Sequence, residues 1–117
     1  YNSGEGKAKR KQKELALLKS ENELREIENQ IFQLYQLLQN NYKNAYLNYE
    51  NQKIKVGLVE KVYQNEEKKL GLGASNSLTL SQRKIQLLSA QQQLIQNEFE
   101  LYKAEIQIKT HSNPIKL

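Results

Sequence analysis

The chain contains no cysteine, no methionine and no tryptophan, and its single proline is Pro114. Without cysteine there is no disulfide and no thiolate metal site, a usage that fits an oxidising compartment. The missing methionine and the start at Tyr1 suggest a fragment or a processed chain. Long apolar runs are missing too: none approaches the ~18 residues a membrane-crossing helix needs. No signal-peptide pattern is visible. Proline-free sequence from Tyr1 to Asn113 leaves helices of unusual length open to the chain.

Catalytic groups are scarce as well. His111 is the one histidine, and it falls in the terminal stretch. Carboxylates are scattered along helix faces, where Glu21 with Arg25 and Lys19 with Glu23 read as ordinary i,i+4 pairs. Gly71-Leu72-Gly73 follows no strand, so it is not a phosphate cradle. With no nucleophile–base pair and no cluster of metal ligands, the chain reads as a non-enzyme without cofactor or metal.

What is present is amide and charge. In 117 residues the apolar fraction is 38% and the net charge is +5. Such a composition suits one domain of long solvated helices better than a thick core. Lys7, Lys9, Arg10, Lys11 and Lys13 form a basic run, but Glu21, Glu23, Glu26 and Glu28 follow at once and would repel a polyanion. No nucleic-acid partner is expected.

Residues 1–6, punctuated by Gly4 and Gly6, read as the end of a strand or turn entering a helix. A long helix is expected over 7–70. One stripe runs Leu17, Leu24, Ile31, Leu38, Ala45, Gln52, Val59, and another runs Tyr35, Tyr42, Tyr49, Val56, Tyr63, Leu70. Both step by seven and lie four residues apart, the pattern of a left-handed coiled-coil seam. The tyrosines read as seam residues whose hydroxyls reach the wet edge. Phe32, Leu34, Tyr46, Leu47 and Val62 widen the stripe. Gly57 costs this helix about 1 kcal/mol relative to alanine, and either permits close packing or marks a soft spot.

The helix is expected to stop at a hairpin tip over 71–77. Lys68 and Lys69 suit the last turn, and Gly71 suits a left-handed cap. A return helix over 78–110 is capped by a Thr79–Gln82 box, or by Asn76 or Ser77. Its seam is Leu80, Leu87, Leu94, Leu101 and Ile108, flanked by Leu88, Ile95 and Tyr102. Ala90 and Ala104 allow close approach. The tail is 111–117. The expected fold is therefore all-α, a long antiparallel coiled-coil hairpin with unequal arms of about 95 Å and about 45–50 Å. The shorter arm leaves the stripe from Leu17 to Leu38 without a partner in the chain, which argues for oligomers or further sequence.

The order Tyr1-x-x-Gly4, long helix, Gly73 at the tip, then Leu78, Leu80, Leu87, Ala90 and Leu94 resembles the C-terminal repeat of the TolC-type outer-membrane efflux proteins (outer membrane factors). So do Leu87-Leu88-Ser89-Ala90-Gln91-Gln92-Gln93-Leu94 and Phe99-Glu100-Leu101-Tyr102-Lys103-Ala104. The resemblance spans nearly the whole chain. It implies a homotrimer in which this hairpin is a segment of an α-barrel tunnel in the periplasm, joined to an outer-membrane barrel whose strands lie outside this sequence. Membrane contact would come only through those strands. The tip residues Leu70, Gly71, Leu72, Gly73, Ala74 and Ser75 would dock a periplasmic adaptor protein, and through it an inner-membrane pump. Export through such a channel is passive.

Well-known members carry a Tyr three residues before the tip glycine, an Arg two after it, and aspartates six and nine after it. Here those places hold Leu70, Ser75, Thr79 and Gln82. Thr79 and Gln82 thus become a neutral candidate lumen constriction. The competing readings are a structural coiled-coil scaffold and a periplasmic adaptor hairpin. Adaptor arms are usually of similar length, with β-segments on both flanks, unlike the arms and flanks expected here.

Overall fold

The computed structural model describes residues 3–112, with side-chain environments from Gly4 to His111. Two helices make up this part of the chain: α1, Ser3–Gly71, and α2, Ser77–Ser112. They are 69 and 36 residues long, and the described residues contain no strand. The fold is all-α.

Both helices outrun the expected limits. α1 starts at Ser3, so Gly4 and Gly6 are helical, while Tyr1 and Asn2 lie outside the described residues. Glycine costs least in a first turn, where Glu5 also suits the helix dipole. At the other end α2 continues through Thr110 and His111 to Ser112, with Lys109 and His111 in the last turn, where cations complement the dipole. His111 therefore belongs to a helix end rather than a tail. The expected tail beyond Ser112, Pro114 included, lies outside the described residues.

The chain forms two compact units. In the first, up to Leu37, α1 runs alone and every side chain from Gly4 onward is exposed. Leu17, Leu24, Ile31 and Phe32 are all well exposed, so the stripe read from the sequence is uncovered up to Ile31, whereas Leu38, expected to lack a partner, is buried at 7% exposure. The expected Glu21–Arg25 and Lys19–Glu23 pairs do not form. Among the described residues the ion pairs are Lys53–Glu50 and Arg83–Glu66. Exposed i,i+4 pairs contribute little, and solvation of the separate charges competes with them.

The second unit, from Leu38 onward, is an antiparallel helical hairpin. On α1 the less exposed positions include 38, 42, 45, 49, 52, 56, 59, 63, 66 and 70, at alternating steps of four and three, with Glu50 beside them. On α2 they include 80, 83, 87, 90, 94, 97, 101, 104 and 108 with the same alternation. This is a heptad seam on both partners. Tyr42, Tyr49 and Tyr63 sit in it half-buried, as packing residues. The buried apolar side chains are Leu38, Leu87, Ala90 and Ala104.

One expectation fails here. Leu88, Ile95 and Tyr102 do not flank the seam but stand out in solvent, and Tyr46, Leu47 and Val62 are likewise exposed on α1. The second row of the α2 seam is instead Arg83, Ala90, Asn97 and Ala104. Alanine decides this, because it lets the helix axes approach. The Gln52 side-chain amide then reaches across and donates to the carbonyl of Ala90 at 3.0 Å. A leucine row on that side would hold the helices farther apart.

Gly57 lies in α1 with no atom within 4 Å of where a Cβ would be. It permits no close contact within the described chain, and the soft-spot reading remains.

Candidate functional site

The tip is built by two caps. The N–H of Ala74 donates to the carbonyl of Lys69 at 2.8 Å, and that of Gly73 donates to the carbonyl of Leu70 at 3.1 Å. These are the paired bonds of a Schellman ending, which requires a left-handed residue between them. Gly73 supplies it with φ of 74°. The left-handed cap is thus Gly73, not Gly71, which is the last residue of α1. Leu72 still donates to the carbonyls of Lys68 and Lys69, at 3.1 and 3.2 Å, so the helix is carried past Gly71 before it closes.

The return helix is capped by Asn76, not by a Thr79–Gln82 box. The Asn76 Oδ1 accepts the N–H of Thr79 at 2.8 Å, and the Asn76 carbonyl accepts that of Leu80 at 3.2 Å. Thr79 is the receiver of the cap, in the third helical position.

These bonds hold the candidate tip residues in a short, fixed turn. Leu70 and Ser75 are half-buried, while Gly71, Gly73 and Ala74 are exposed. Leu72 is 84% exposed and projects from the turn as a bare leucine. Thr79 is half-buried and Gln82 exposed, three residues apart on α2 and therefore on one side of it. Neither bears charge.

Behind the tip lies a layer that sequence reading missed. Glu66 is 7% exposed, inside the seam, and its Oε1 stands 3.6 Å from the Nε of Arg83. That nitrogen has no hydrogen-bond partner, while the Arg83 Nη1 donates to Gln86 at 3.2 Å. Lys84 places its ammonium 5.5 Å from the centre of the Tyr63 ring. Further from the tip, Gln93 donates to the Asn97 Oδ1 at 3.0 Å, and Asn97 donates to the carbonyl of Asn48 at 3.3 Å. The signal was available: Glu66, Arg83 and Asn97 occupy seam positions of the heptads that hold Ala45 and Ala90. Lys53, which bonds Glu50 at 2.9 Å and lies over Tyr49, has its pKa raised chiefly by that Glu50 bond.

α2 also carries a second apolar stripe, away from the seam. Leu78, Ile85, Phe99 and Ile106 recur on a seven-residue grid, beside Leu88, Ile95 and Tyr102 on another. All seven are exposed. No group of three or more His, Cys, Asp or Glu fit to hold a metal ion occurs among the described residues, and no described helix is long and apolar enough to cross a membrane.

Comparison of the chain with protein families, characterised proteins and solved structures finds no match.

Proposed function

We propose that this chain is the periplasmic helical-tunnel segment of an outer-membrane efflux or type I secretion channel of the TolC type. Three copies contribute to an α-barrel. The tip docks a periplasmic adaptor coupled to an inner-membrane pump, and substrates pass through without chemical change. The tunnel stands in the periplasm, and barrel strands outside this sequence anchor it in the outer membrane.

The observation that carries this reading is the two-sided apolar character of α2. Its inner stripe packs on α1, and its outer stripe, from Leu78 to Ile106, is exposed for nearly the whole helix. A helix in a tunnel wall has a neighbour on each side and needs two such stripes, whereas a free hairpin needs one. The capped tip adds support: it presents Leu72 on a rigid turn, as a docking knob requires. Thr79 and Gln82 would form the constriction, closed by packing and neutral polar contacts rather than by an acidic ring.

The test uses the full-length protein in cells. Leu72→Glu leaves the Gly73 cap intact and puts a charge on the knob. Gly73→Glu alters the cap as well. Both variants are expected to lose most efflux while the trimer still assembles. Wild-type efflux from an assembled trimer carrying Leu72→Glu would overturn the docking role.

A further inference from the structure

The solitary stretch of α1 carries a sharply bordered face of its own. Leu24, Ile27, Ile31 and Leu34 succeed one another at steps of three, four and three, so they form one stripe on the helix, with Leu17 a heptad before Leu24. All are exposed. The row along one margin holds Glu14, Glu21 and Glu28, and the row along the other holds Glu23. Glu21 and Glu28 wall a shallow groove over Leu24, with Arg25 at its outer edge and no ion pair closing it. Lys19 falls away from the stripe, so Arg25 is the cation beside the groove, against the two carboxylates Glu21 and Glu28 that wall it.

We propose that this face docks an amphipathic helix whose apolar seam is bordered by lysine or arginine. Leucine and isoleucine supply the contact area, and the marginal carboxylates choose the partner by charge, as bordering residues do in coiled coils. A parallel second copy in register would set these glutamates against their own images, so the charge pattern selects against it. In the hairpin the same heptad position holds Tyr42, Tyr49 and Val56, which lie in the seam itself, so the row that packs there is replaced by carboxylates in this stretch.

The experiment titrates the full chain with two designed helices at low salt. They share one leucine seam and differ only in carrying Lys or Glu along its margins. The Lys-bordered helix is expected to bind about tenfold more tightly, the sum of several exposed charge pairs. The margin should shrink as salt is raised. Glu21→Lys/Glu23→Lys/Glu28→Lys is expected to reverse the preference, and Glu60→Lys/Glu67→Lys/Glu98→Lys in the hairpin to leave it unchanged. Equal affinities, binding of neither helix, or a preference that survives the first triple substitution would overturn the proposal. So would self-association of the chain that excludes both helices, which would assign the face to a second copy.

Discussion

The Nε of Arg83 lies 3.6 Å from the Oε1 of Glu66, across a seam otherwise packed by apolar and amide side chains. The distance is too long for a hydrogen bond, and the nitrogen finds no other acceptor. The pair thus bears part of the cost of burying charge and only part of the return. Glu66→Ala should lower hairpin stability by about 1–2 kcal/mol, discounted from a fully buried pair because the Arg83 side chain is 39% exposed. Glu66→Leu/Arg83→Leu should match or exceed the parent, since an apolar layer avoids the desolvation cost. Urea melts followed by circular dichroism decide this, and a double variant weaker than both singles would refute it.

At the tip, two glycines separated by one residue should behave oppositely. Gly73→Ala places a Cβ on a left-handed residue and should cost about 1 kcal/mol. Gly71→Ala enters open space at a helical residue and should cost nothing or stabilise slightly. Asn76→Ala should cost about 1 kcal/mol by removing the cap on Thr79. Thermal melts of the three variants give the ranking directly.

Within α1, Gly57→Ala should raise stability by up to about 1 kcal/mol, because nothing lies within 4 Å of the new methyl group. A loss of function with unchanged or greater stability would show that the softness of this position is used. A drop in melting temperature would contradict the open environment.

The two stripes of α2 should separate by substitution. Ala90 and Ala104 are 5% and 6% exposed, so Ala90→Leu or Ala104→Leu should overpack the seam at a cost of about 1–3 kcal/mol. Ile95→Glu/Phe99→Glu on the outer stripe should leave helicity intact and abolish assembly of the full-length protein. Sedimentation velocity and circular dichroism on the same samples distinguish the two outcomes.

Much of this was legible in the sequence because a seven-residue grid leaves a long record. The α1 seam from Leu38 to Leu70 and the bare stretch before it follow from the steps alone. The α2 seam from Leu80 to Ile108 follows too, with Ala90 and Ala104 at the close approach; that Leu88, Ile95 and Tyr102 lie outside it does not. Leu88, Ile95 and Tyr102 outweigh Ala90 and Ala104 in hydrophobicity, yet small size governs close approach. Gly71 was the expected cap, and only the backbone angle at Gly73 moves the cap two residues on. Gly4 and Gly6 punctuate the sequence but fall where a helix tolerates them. The Glu66–Arg83 layer escaped notice because two charges in a seam matter only once antiparallel register sets them opposite each other.

The central claim is that this hairpin belongs to the wall of a conducting channel. Planar-bilayer recording of the purified full-length protein tests it most directly. The account predicts discrete open-channel steps, poorly blocked by hexaamminecobalt-type cations, because Leu70, Ser75, Thr79 and Gln82 offer no acidic ring. Strong block at low concentration would contradict the neutral constriction, and the absence of any conductance steps would contradict the channel itself.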